Sequence, residues 1–302
     1  MLPDADHLPE LLLDLAVPHE DINELVGLRR TVTGDPGTLR LLEECVEELV
    51  REVGEVGRAS RLRERVAEAP AALGGYFSVY VFVAALPHTR AYHRARGIPD
   101  DVSRRTLADL GRNMAVHRRW HGRGGVQQPY WLVHHFRGEL YQLGRLQFER
   151  VRLGERSVRA LREAGLTASP GDPCLALHIP DFRGPLTPAA CDQSLAQARE
   201  FFARYFPEER YETAICQSWL LDSELKRYLS ADSNIIRFQE RFQAAREDSK
   251  PSDREPVQFV FGNPDLPTAD LPRRTSVERA VGDHLRAGGH WYIGHGWLPL
   301  GH

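Results

Sequence analysis

Through the first third of the chain, apolar residues recur three or four positions apart. Thr38 to Val53 places Leu39, Leu42, Val46, Leu49 and Val53 on one face, with Gly37 before it and Gly54 after it. That spacing predicts an amphipathic helix with a glycine at each end. Ser60 to Glu68 predicts a second, short helix. Gly74 to Leu86 (GGYFSVYVFVAAL) is a continuous apolar run. Its length fits a buried helix, its β-branched and aromatic residues a strand. Asp100 to His117 carries Val102, Leu107, Leu110, Met114 and Val116 behind two aspartates. Negative charge at that end suits a helix N-terminus.

The pattern changes near Gly122 to Gly125. From Tyr130, YWLVHHF and ELYQLGRLQFERVRL predict a hairpin turning at Arg137–Gly138. Histidines 134 and 135 would then face opposite sides of a strand and could not ligate one metal. Cys174 to Ile179 predicts a short buried strand. Thr187 and Pro188 suit the cap and first position of a helix with a Cys191, Leu195, Ala198, Phe202, Phe206 stripe. Tyr211 to Leu221 predicts a strand whose alternation groups Ala214, Cys216 and Ser218 on one face. Asp222 or Ser223 can cap the next helix. Asp232 to Ala245 predicts a helix, Arg246 to Pro256 a polar linker, VQFVFG a strand, and the stretch after Thr275 a helix. The tail WYIGHGWLPLG predicts a last strand and an aromatic plug. The expected class is α+β: a helical domain over 1–122, then a mixed-sheet α/β domain over 123–302.

Composition adds exclusions more than assignments. The chain has 302 residues, 42% hydrophobic and 27% charged, near the average of globular domains. A net charge of -3 gives no electrostatic case for nucleic acid or an anionic membrane as partner. No apolar run read from the sequence approaches the roughly 20 residues of a membrane span. The acidic start MLPDADHLPELL is unlike a signal peptide. Cys45, Cys174, Cys191 and Cys216 show no zinc or redox spacing. Reduced thiols, a cytoplasmic location and no metal are expected.

The later elements are similar to a known family. LYQLGRLQFE (Leu140 to Glu149), LALHIP (Leu175 to Pro180), GPLTP (Gly184 to Pro188), SWLLD (Ser218 to Asp222) and SNIIRFQERF (Ser233 to Phe242) resemble the GNAT N-acetyltransferase superfamily. The whole chain resembles a bacterial group of acyltransferase-domain proteins, with a helical N-terminal domain before a GNAT-like one. The resemblance implies a sheet splayed between its fourth and fifth strands, with the pantetheine arm of acyl-CoA in the gap. It implies a pyrophosphate on the loop opening the next helix and a small-molecule acceptor such as an amine. On that reading Ile179, Arg183, Gly184, Leu186, Thr187, Ala189 and Asn234 bind the cofactor, with the N–H of Ala190 as a further donor.

The chain departs from the family pattern at two places. Its loop reads Arg183-Gly184-Pro185-Leu186-Thr187, with one glycine where the family has two and with prolines at 185 and 188 that offer no N–H. Phe238 and Phe242 stand where the family's acidic tyrosine is expected, so a general acid would come from elsewhere, such as Tyr228 or Cys216.

Each candidate has a plain alternative. His178 is either a general base or a strand-end residue bonded to backbone. Glu149 is either a base or a salt-bridged carboxylate. Cys216 is either a nucleophile activated by His178 on the adjacent strand or an inert core thiol. Trp219 lines a substrate pocket or belongs to the core, and Asp222 is a cap or a base. The leading expectation is acyl transfer by direct attack of an amine on the thioester. The alternatives are a non-catalytic binding module and an acyl-enzyme on Cys216.

Overall fold

A computed structural model describes residues 2–126, 128–181, 183–244 and 250–301. Two units divide between Gln142 and Leu143 rather than after residue 122.

Among the described residues, the first unit is helical: α1 (Leu8–Asp14), α2 (His19–Gly34), α3 (Pro36–Arg51), α4 (Leu62–Val66), α5 (Phe77–Ala95), α6 (Asp100–Leu107), α7 (Asp109–His121) and α8 (Pro129–Phe136). Helix α3 starts where Asp35 accepts the Thr38 N–H at 2.8 Å, and it buries Leu42, Cys45 and Leu49. The ambiguous apolar run resolves as α5. Its residues Phe77 to Leu86 are all buried, so it packs on every side and needs no polar face. Ala71–Ala95 is long and apolar enough to cross a membrane, yet 67% of its apolar window is buried inside the protein. The expected single helix over 100–117 is two, meeting at Ala108.

One sequence expectation in this unit fails. YWLVHHF is the helix α8, not a strand, and Pro129 occupies its first turn. Proline there has no N–H to lose and its φ is already helical. His135 Nε2 lies 3.1 Å from the buried Asp109, and His134 Nδ1 lies 2.6 Å from Glu139.

Strand β1 (Leu140–Leu143) carries the chain into the second unit. There follow β2 (Leu146–Arg152), α9 (Glu155–Glu163), β3 (Pro173–His178), α10 (Pro188–Tyr205), β4 (Thr213–Ser218), α11 (Asn234–Gln239), β5 (Gln243–Ala244), α12 (Arg254–Phe261), α13 (Ser276–Arg286) and β6 (Gly294–Pro299). The hairpin turn is Gly144–Arg145, not Arg137–Gly138. Gly144 has φ +65°, which a two-residue turn requires and L side chains resist. The sheet order is β1-β2-β3-β4-β6-β5. β3 and β4 run parallel, while β2–β3, β4–β6 and β5–β6 are antiparallel.

Two further expectations are corrected in this unit. VQFVFG is the helix α12, ended by Gly262 in the left-handed region (φ +77°). The helix expected over 232–245 covers only Asn234–Gln239, after which Gln243 and Ala244 pair with Trp297 and Gly296. The linker expected over 246–256 lies partly outside the described residues. Helix α13, expected after Thr275, begins at a reciprocal cap between Thr275 and Glu278.

Candidate active site

Strand pairing opens the site. β3 meets β4 at Leu175↔Ala214 and Ala176↔Ile215. Beyond those pairs, β3 stays on β2 out to His178↔Gln147, and β4 stays on β6 out to Ser218↔Gly294. Among the described residues, the facing edges of β3 after Ala176 and of β4 after Ile215 therefore part. Their backbone groups are not paired across the gap by one another. Strand edges of this kind present N–H and C=O groups to whatever enters.

His178 stands at the end of β3. In the antiparallel register Glu149 faces Ala176, so His178, two residues on, shares its side of the sheet. The two groups meet: His178 Nε2 is 2.9 Å from Glu149 Oε2. The histidine side chain is 28% exposed and the glutamate 12%, so the pair is reachable from solvent yet largely shielded. Sequence reasoning treated the two as rival bases. The strand register makes them partners. An ionised carboxylate can only accept, so Nε2 is the donor of the pair.

Cys216 is not part of this pair. Alternation puts it with Ala214 and Leu175, on the face opposite Ala176 and His178. It is buried, and burial pushes its thiol up to about 12. A thiol in that state supplies no nucleophilic thiolate and no readily given proton near neutrality.

Beyond β3, Ile179 leads into the loop that opens α10. Thr187 is the N-cap: its hydroxyl accepts the Ala190 N–H at 3.3 Å. Ala190, expected as an anion donor, is thus committed. The N–H groups of Leu186, Thr187 and Ala189 have no acceptor among the described residues. Gly184, at φ +77°, turns the chain immediately before Pro185. Donors gathered at the start of an 18-residue helix suit an anion, and the residues present fit the phosphate end of an acyl-CoA.

Two arginines that the sequence reading missed brace this loop. Arg145, in the hairpin turn, donates from Nε to the Gly184 carbonyl (2.9 Å) and from Nη1 to the Pro180 carbonyl (3.0 Å). Arg241 donates to the Pro188 carbonyl (3.0 Å) and pairs with Asp192. Arg183 stands close enough to Arg145 to disfavour its charge. The only trace of Arg145 in the sequence was its place in a Gly-Arg turn.

The remaining candidates have structural partners. Trp219 is buried in a cluster with Leu225, Ile236 and Trp291, and so belongs to the core. Asp222 is buried and caps: it accepts the Glu224 N–H and the Tyr292 N–H. Asn234 opens α11 behind the Ser233 cap. Phe238 and Phe242 pack against each other with tilted rings, centroids 5.0 Å apart, and bring no hydroxyl. Tyr228 lies 3.1 Å from His284 Nδ1, whose Nε2 faces the His290 carbonyl. A carbonyl accepts, so Nε2 carries the ring proton and Tyr228 donates to Nδ1. Its proton is directed to that histidine.

Splayed parallel strands, a loop that opens a long helix and a helical unit ahead of them define a GNAT-like acyltransferase architecture. The chain belongs to this family. Residues 6–138 match the N-acyltransferase N-terminal domain and residues 140–298 the GNAT-like C-terminal domain. Solved structures agree. An acyltransferase in complex with decanoyl-CoA superposes at TM-score 0.87 with 37% identity, over 100% of this chain and 90% of that one. An acyltransferase with decanoyl-CoA and teicoplanin gives 0.85 and 38%, over the same shares. A mutant acyltransferase with octanoyl-CoA gives 0.86 and 37%, again over 100% and 90%. No curated protein matches the chain.

Proposed function

We propose that the protein transfers an acyl group from acyl-CoA to an amine by direct attack, with His178 taking the amine proton. The observation that carries this reading is the His178–Glu149 contact at 2.9 Å, at the mouth of the gap between β3 and β4. The solved relatives that hold octanoyl-CoA or decanoyl-CoA favour a medium-chain donor, and those that hold teicoplanin favour a bulky small-molecule acceptor.

In this reading the edges of β3 and β4 hold the pantetheine arm by backbone hydrogen bonds. A strand-edge N–H polarises the thioester carbonyl. The amine nitrogen bonds to the carbonyl carbon and its proton passes to His178 Nδ1. The Glu149 carboxylate stabilises the imidazolium through Nε2. The C–S bond then breaks and CoA leaves as thiolate. With a thiol pKa of about 8.5, that leaving group needs little help, so a phenylalanine can replace the family's tyrosine. Much of the rate comes from holding acceptor and thioester together.

The test is direct. The protein is incubated with decanoyl-CoA and amine acceptors of the size of teicoplanin, then with simple amines. Free thiol release and the mass of the product are followed. A product heavier by one acyl group, with one thiol released per transfer, is expected. No binding of decanoyl-CoA at millimolar concentration in calorimetry would end the reading.

A further inference from the structure

We propose that Arg145 is a positioning residue that pre-shapes the phosphate loop for CoA, replacing the conformational role of the missing second glycine. The inference rests on the acyl-CoA reading above. Its observation is separate: one guanidinium bridges the carbonyls of Pro180 and Gly184, which bracket the loop.

The loop has an electrostatic difficulty. Its prolines at 185 and 188 leave few N–H donors, so any carbonyl turned toward an incoming phosphate weighs heavily against binding. Arg145 engages the carbonyl oxygens of Gly184 and Pro180 with a rigid planar fork, which a lysine ammonium does not reproduce. The fork is itself fixed. Arg145 N and Leu146 N donate to Ser194 Oγ at 2.7 and 3.3 Å, and that hydroxyl donates to the Ala190 carbonyl at 2.9 Å. A Cβ at Gly144 would come within 2.7 Å of Ser194 Oγ, so the turn docks closely against α10. The hairpin turn, both ends of the loop and the first turn of α10 thus form one hydrogen-bonded unit. Burial holds the Arg145 pKa below its ordinary value, with Asp181 opposing and Arg183 adding to the effect. No carboxylate forms an ion pair with it among the described residues. A phosphate arriving at this loop would also meet that cation.

The test uses the full chain and two variants, Arg145→Met and Arg145→Lys, with CoA and pantetheine as probes in calorimetry. Both variants are expected to weaken CoA about tenfold, the scale of losing a charged hydrogen-bonded contact. Pantetheine, which lacks the phosphates of the nucleotide end, should bind all forms equally. In an acylation assay KM for acyl-CoA should rise while kcat holds. If Arg145→Met does not fold, Arg145→Lys carries the test. CoA affinity within twofold of wild type in the folded variants overturns the proposal. So does an equal loss for pantetheine, or full retention of affinity by Arg145→Lys. A wild-type chain that binds no CoA refutes the acyl-CoA reading instead.

Discussion

His178 Nε2 lies 2.9 Å from Glu149 Oε2, one residue from β3 and the other from β2, two register steps apart on the same side of the sheet. If the imidazole accepts the amine proton, His178→Ala should lower kcat by about 10²- to 10⁴-fold. CoA affinity should hardly change, since the loop of α10 lies beyond it in the chain. Glu149→Gln keeps the shape and removes the charge that steadies the imidazolium. It should cost about tenfold, less than the histidine change. A Glu149→Gln loss larger than that of His178→Ala would make the glutamate the base.

Direct transfer and an acyl-enzyme differ at one residue. Cys216 is buried on the other side of the sheet from His178, with its thiol pushed up to about 12. Cys216→Ala should therefore keep turnover within about twofold, with a stability loss of around 1 kcal/mol for a small core deletion. Intact-protein mass spectrometry of wild type with decanoyl-CoA and no acceptor should show no acyl adduct. An adduct lost in Cys216→Ala would restore the covalent route.

Thr187 separates capping from ligand binding. Its hydroxyl accepts the Ala190 N–H and its own N–H has no acceptor among the described residues. Thr187→Ala should lower stability by about 1 kcal/mol through the lost cap. Thr187→Asp keeps a cap and suits the helix dipole, so the melting temperature should hold. Its carboxylate would repel the CoA phosphates, and calorimetry should report affinity about tenfold weaker. Undiminished affinity in Thr187→Asp would move the phosphates away from this loop.

The parts legible in the sequence were those with local signals. The Thr187–Pro188 start of α10, the short strand through His178 and a helix after Thr275 each follow from a local residue pattern. YWLVHHF and VQFVFG misled because short, mostly apolar runs are too brief for their period to separate helix from strand. Pro129 before the first and Gly262 closing the second were the available signs of helices. The His178–Glu149 contact depends on strand register, and the Arg145 brace on the docking of a turn against α10. Neither is encoded in spacing along the chain. Reading Cys216 as a partner of His178 failed for the same reason: adjacent strands bring residues together only when their alternation is in phase.

In the helical unit, His93 should set part of the acid limit. Its ring is buried, Nδ1 lies 2.8 Å from Ser103 Oγ, and Nε2 has no hydrogen-bond partner among the described residues. Burial first, and the Arg90 charge second, push its pKa down to about 4, against the ordinary 6.5. The unfolded chain therefore takes a proton as pH falls through 6.5, while the folded chain does so only near 4. The stabilisation is complete above about pH 6.5 and is lost as the pH drops toward 4, by on the order of 3 kcal/mol in full. Carboxylates also titrate in this range, so the useful quantity is a difference. Urea unfolding of wild type and His93→Gln between pH 7 and pH 4.5, followed at the helical unit, isolates it. Wild type should lose stability relative to the variant at each step downward. Parallel curves for the two proteins would mean that His93 protonates alike in both states, and that its burial does not govern its charge.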